Sequence, residues 1–135
     1  MIFVDASAWI AYELPDDRKH EAAVAAMRLA RRGQFGSLVT SDYVLSESLT
    51  TVRMDGGMEA ADRLATRVWE SERVRFLWTS PESYRAAWQR MRAYRDKAWS
   101  LTDCISFVHM ADLGIRKAHA FDRNFREAGF ETVPE

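Results

Sequence analysis

The chain has 135 residues, 47% of them hydrophobic and 29% charged, with a single cysteine and no apolar run near the roughly 18 residues of a membrane span. That length makes one domain, residues 1–135, with room for a sizeable core; an internal disulfide is excluded, and a reducing, cytoplasmic setting with no secretory leader is the expectation. The 19 basic and 20 acidic residues leave a net charge of −1, which argues against affinity from bulk phosphate electrostatics; contact with nucleic acid must come through a local patch or metal ions.

The first stretch, Ile2-Phe3-Val4-Asp5-Ala6-Ser7, is an unalternated apolar run ending in an acid. It reads as a strand buried on both faces. A helix over 7–13 follows and is stopped before Pro15, because the residue preceding a proline is pushed out of the helical region. Residues 19–32 read as a second helix whose apolar side includes Val24, Met27 and Leu29, with Gly33 as its C-terminal signal. The second strand is expected within 35–40, centred on Leu38-Val39.

Ser41 or Asp42 caps the third helix, which ends at Asp55-Gly56-Gly57. The fourth covers 59–72, with Ala61, Leu64, Ala65, Val68 and Trp69 as its expected buried stripe. A strand over 74–78 is followed by a helix from Pro81 to about Tyr94, Pro being favoured at a first helical position. Residues 100–113 form the next helix, closed by Gly114; 118–121 form a strand, 122–126 a short helix and 130–133 a last strand. Strands alternating with helices give an α/β fold: a mostly parallel sheet with helices on both faces.

Ligand sites in open parallel sheets form at the carboxyl ends of the strands. Asp5 and Asp122 fall at two such ends, Asp103 opens the helix over 100–113, and Glu47 lies in the helix after the second strand. Each acid has an ordinary explanation. Asp5 and Asp122 suit helix caps, Ser100 to Asp103 fits a capping box, and Glu47 lies off the apolar stripe. Together they exceed what capping requires. Clustered carboxylates raise one another's pKa unless a cation sits among them, and Mg²⁺ or Mn²⁺ suits such oxygens. Beside a phosphate, that arrangement points to phosphodiester hydrolysis. Ser7, Ser100, Thr102 and Asn124 are placed either to orient these acids or to make local turn hydrogen bonds.

The histidines His20, His109 and His119 lack metal-ligand spacing, and Cys104 reads as a small buried hydrophobe. Trp88, Tyr94 and Trp99 interleave with Arg85, Arg90, Arg92, Arg95 and Lys97. That pattern fits either single-stranded nucleic acid or a partly exposed amphipathic helix. Arg92, Arg95, Lys97, Trp99 and Arg123 are the candidate RNA contacts.

Four ordered segments carry a resemblance to the PIN-domain ribonucleases, and among them the VapC-type toxins of toxin–antitoxin pairs. They are Phe3-Val4-Asp5-Ala6-Ser7, Leu45-Ser46-Glu47-Ser48-Leu49, Ser100-Leu101-Thr102-Asp103-Cys104 and Phe121-Asp122-Arg123-Asn124-Phe125. The resemblance implies a Rossmann-like α/β/α sandwich with a five-stranded parallel sheet. It also implies Mg²⁺- or Mn²⁺-dependent endonucleolytic cleavage of RNA, with Asp5, Glu47, Asp103 and Asp122 as the metal-binding, water-activating acids. A homodimer and a cognate antitoxin that occludes the site are further implications. One departure stands out: Ala120 occupies a position where the family often has Thr. The alternatives left open are a metal-dependent nuclease or phosphatase with another substrate, and a non-enzymatic acidic pocket for a basic peptide.

Overall fold

The computed structural model describes residues 1–135. Its strands are β1 (Ile2–Val4), β2 (Leu38–Ser41), β3 (Val74–Leu77), β4 (Lys117–His119) and β5 (Glu131–Val133). Its helices are α1 (Ala6–Glu13), α2 (His20–Arg31), α3 (Asp42–Gly56), α4 (Met58–Glu70), α5 (Pro81–Ala93), α6 (Leu101–Leu113) and α7 (Asn124–Glu127). The sheet is parallel throughout, in the order β3-β2-β1-β4-β5, within a three-layer α/β/α arrangement.

The apolar first strand takes the central position its composition demands, with Ile2, Phe3 and Val4 all buried. The chain winds outward from β1 to β3, then returns to the other side of β1 for β4 and β5. Strand order therefore reverses between β1 and β4, and the crevice above that reversal is where such sheets bind ligands. A buried chain of hydrogen bonds fixes the level of α1 against the sheet: Trp9 Nε1 donates to Thr40 Oγ1 at 3.2 Å, and Thr40 Oγ1 donates to the Val4 carbonyl at 3.1 Å.

Several boundaries differ from the sequence reading. The second strand begins at Leu38, because Gly36 turns the chain at φ +78° beside Met1, whose N lies 3.2 Å from where a Cβ would be. The fourth strand ends at His119 rather than at 121. There the His119 carbonyl accepts from Asp5 N, and Phe121 N turns to Ser7 Oγ. The short helix starts at Asn124 rather than at Asp122, since Asp122 Oδ1 accepts from Asn124 N and holds the preceding turn. Trp69, expected in the buried stripe of α4, is 57% exposed, and Leu29 is exposed as well. Trp69 lies over β3, an edge strand with no further element to cover it.

Glu13 is a buried carboxylate at the end of α1, held by Arg67 Nε and, at 3.8 Å, by Arg63 Nε. Removing the closer guanidinium would strand that charge. Arg67→Ala is expected to destabilise by about 2 kcal/mol, less than a fully buried pair because Arg67 is partly solvated. Urea unfolding measures this directly.

Candidate active site

β1 ends one residue before Asp5, and the side chain begins the next element: Asp5 Oδ2 accepts from Ser7 N at 3.1 Å and from Ser7 Oγ at 2.7 Å. The same hydroxyl accepts from Phe121 N at 3.1 Å, tying the end of β4 to Asp5. The cap and the chemistry are thus divided between two oxygens, with Oδ1 of Asp5 making no hydrogen bond to a donor group of the chain. Asp103 repeats the device. Its Oδ2 accepts from Ser100 N and from Asn124 Nδ2, both at 3.0 Å, closing the capping box at the start of α6. Thr102 contributes its carbonyl to Ser106 Oγ, a local bond within α6.

The electrostatics join the four acids. Asp5 is only 3% exposed. Burial first, and then the Asp122 charge, push its pKa up to about 7; the Ser7 hydrogen bonds oppose this, and Asp103 adds to it. Asp122 is raised chiefly by burial and then by the Asp103 charge, against the backbone N–H groups of Asn124 and Phe125 and the neighbouring Asp5 carboxyl. Asp5 and Asp122 therefore titrate as a pair. Glu47 stands at the exposed side, raised by partial burial and by Asp103 and Asp122. None of the four is in an ion pair; the ion pairs the chain makes are to Glu13, Asp96 and Glu127.

The expectation that all four carboxylates reach a single ion is not met by the side-chain positions. No three of the Asp, Glu, His and Cys side chains converge as a ready-made ligand set. Each of the three aspartates is tied to a hydroxyl, amide or backbone partner. The donor chemistry nevertheless suits a hard divalent ion: carboxylate oxygens, with one oxygen of Asp5 and one of Asp103 uncommitted.

Trp99 is corrected as an RNA contact. It is 5% exposed, packed against Tyr94 and Phe107 at 5.1 Å each, so its ring belongs to the core. Arg92 and Arg95 are exposed. Lys97 and Arg123 both face Glu127, at 4.0 and 3.2 Å. Ala120 is buried, and Ser7 is the hydroxyl beside this part of the site. Cys104 is buried, as read, whereas His119 keeps a buried Nε2 with no hydrogen-bond partner. His109 Nε2 meets Thr79 Oγ1 at 3.0 Å, and His119 Nδ1 meets the Val133 carbonyl at 2.8 Å.

Two features escaped the sequence reading. Asp42 does not cap α3, a role taken by Ser41; it accepts from Thr79 N and Oγ1, which with His109 pins α3, the segment after β3 and α6 together around the site. A hydroxyl two residues after a strand was the available signal. The second is a cavity of about 480 Å³ at the opposite, amino-terminal edge of the sheet, with Trp9, Tyr12, Met27, Arg31, Arg67 and Arg73 in its wall. None of the four acids lines it.

Comparison with known proteins places this arrangement. The chain is 32% identical to the 23S rRNA-specific endonuclease VapC20 of Mycobacterium tuberculosis over the full length of both. The crystal structure of that protein, described as a sarcin–ricin loop cleaving toxin, superposes with a TM-score of 0.87 over 96% of each chain. FitAcB from Neisseria gonorrhoeae, 17% identical, shares the fold with a TM-score of 0.65 over 98% of this chain and 96% of its own. The PIN domain profile matches residues 2–131. Four carboxylates at the strand-order reversal of a five-stranded parallel sheet, matched along nearly the whole sequence, establish that the chain belongs to the PIN-domain family.

Proposed function

We propose that this chain is a metal-dependent endoribonuclease of the VapC type, the toxin of a toxin–antitoxin pair. The observation that carries the reading is the Asp5–Asp122 carboxyl pair, with Asp103 and Glu47 beside it and no basic side chain to neutralise them. Asp5, Asp103 and Asp122, with Glu47 at the rim, are the residues to hold Mg²⁺ or Mn²⁺. When bound, the ion supplies charge neutralisation at the phosphoryl oxygens and acidifies water. Ser7 and Asn124 fix which oxygens of Asp5 and Asp103 face the crevice. Glu47, exposed and raised above the usual carboxylate range by partial burial and by Asp103 and Asp122, is the carboxylate to take the proton of the attacking water.

Full-length similarity to a 23S rRNA-specific enzyme makes the sarcin–ricin loop the first RNA to test. A basic antitoxin segment complements the uncompensated acids, and a homodimer is the assembly we assign. In the experiment, purified protein with Mn²⁺ or Mg²⁺ is offered a sarcin–ricin hairpin, an unrelated hairpin, single-stranded DNA and a small phosphomonoester. Endonucleolytic cleavage of RNA alone, abolished by EDTA, is the expected result. Preferential hydrolysis of DNA or the monoester would overturn it.

Asn124 provides a separate test. Asn124→Ala removes the Nδ2 bond to Asp103 but leaves the backbone N–H that Asp122 accepts. Cleavage should fall about 10- to 100-fold, the usual effect of losing a group that orients a metal-binding carboxylate. The melting temperature should change little.

A further inference from the structure

The most exposed large aromatic of the chain is Trp78, at 76%. It follows directly on β3, the edge strand, and it is not an isolated ring. Phe76 meets it edge-on at 5.0 Å and 81°, and Trp69 of α4 meets Phe76 at 6.2 Å and 72°. The three form an aromatic stripe along one side of the sheet edge, held in a fixed geometry before any partner arrives.

The register places the stripe relative to the acids. Phe3 pairs with Val39 in β2, and Ser41 pairs with Leu77 in β3, so Asp5, Ser41 and Leu77 lie in one row across the sheet. Trp78 stands one residue beyond that row, at the carboxyl edge, two strands from Asp5. Two strand spacings are about 10 Å, which is about three nucleotides stacked at roughly 3.4 Å. Exposed aromatics at a strand edge suit single-stranded nucleic acid, because every base has a face to stack.

We propose that Trp78, braced by Phe76 and Trp69 on the β3 edge, stacks an unpaired base of the RNA to one side of the scissile phosphate. This rests on the RNA-cleaving reading of the acids. Trp78 is a positioning residue: it holds the strand in register and touches no reacting atom.

The test uses wild type, Trp78→Ala and Trp78→Phe in two assays. Binding of a labelled single-stranded oligoribonucleotide is measured by anisotropy in EDTA, alongside oligomers carrying one abasic position at successive sites. Cleavage of the same RNA is then measured with Mn²⁺. Trp78→Ala should weaken binding about tenfold and raise KM by a similar factor with kcat unchanged, and Trp78→Phe should recover most of the loss. One abasic position should weaken wild type by that factor while leaving Trp78→Ala unaffected. Equal binding by wild type and Trp78→Ala overturns the proposal. So does sedimentation showing that Trp78→Ala dissociates an oligomer, which assigns the stripe to a second copy of the chain. If wild type binds RNA through Trp78 yet cuts none, the nuclease reading fails and the platform stands. If wild type cuts and Trp78→Ala cuts with the same KM, only the platform fails.

Discussion

Asp5→Asn is expected to abolish RNA cleavage, by at least about a thousandfold, while making the metal-free protein more stable at pH 8. The loss follows from removing a charged ligand and half of the Asp5–Asp122 pair. The gain follows from linkage. The folded-state pKa of Asp5 is about 7 against a reference value of 3.8. Between these two values the native state keeps a proton that the unfolded chain has released, so stability falls as pH rises, and the whole penalty is present above the folded pKa. Three pH units of difference amount to about 4 kcal/mol, shared with Asp122 because the two carboxyls titrate together. Asn satisfies the same neighbours: its oxygen accepts from Ser7 N and Oγ, and its amide donates to Asp122. In EDTA, wild type should therefore melt at a lower temperature at pH 8 than at pH 5, with that slope flattened in Asp5→Asn. Mn²⁺ should raise the melting temperature of wild type at pH 8 far more than that of the variant. A variant that still cuts RNA, or a wild-type stability that rises from pH 5 to pH 8 in EDTA, would remove Asp5 from the centre of the site.

Phe107→Ala is expected to destabilise by about 3–5 kcal/mol, lowering the melting temperature by roughly 10–20 °C for a domain of this size. Phe107 is fully buried on α6 and meets Phe125, Trp99 and Phe130 with ring centroids 5.1, 5.1 and 5.7 Å apart. Phe125 in turn stacks on Phe3 of β1 at 6.5 Å. This aromatic hub holds the helix that carries Asp103 against the short helix that carries Asn124. Truncation should therefore lower cleavage even at temperatures where the variant is still folded. Phe107→Leu, which keeps most of the volume, should cost about 1–2 kcal/mol. A loss below about 1 kcal/mol for the alanine variant, measured by urea unfolding, would mean that the hub does not organise this half of the molecule.

Much of the architecture was legible because the chain states it locally. An unalternated run such as Ile2 to Val4 has no face to offer water, so it becomes the central strand of a parallel sheet. Ser80-Pro81, Ser100 with Asp103, and Gly114 mark helix ends through hydrogen bonds within a few residues of themselves, and each does so in the fold. What misled was context. Trp69 follows the periodicity of its helix and is exposed, because the strand beneath it is the last in the sheet. Trp99 lies among arginines and is buried, because Tyr94 and Phe107 close over it.

The four acids follow the same division. The sequence by itself determined that Asp5, Asp103 and Asp122 stand at strand ends and helix starts and that Glu47 lies within the helix after the second strand, since those positions follow from local hydrogen bonding and the pattern of each short segment. Only the tertiary structure decided that Asp122 stands close enough to raise the buried Asp5, that Asn124 reaches back to Asp103, and that no basic side chain pairs with the cluster. It also decided that no three of these acids converge as a ready-made ligand set. The physical reason is that charge interactions depend on distance and burial. Those are set by strand order and packing between segments more than a hundred residues apart, which no local pattern records.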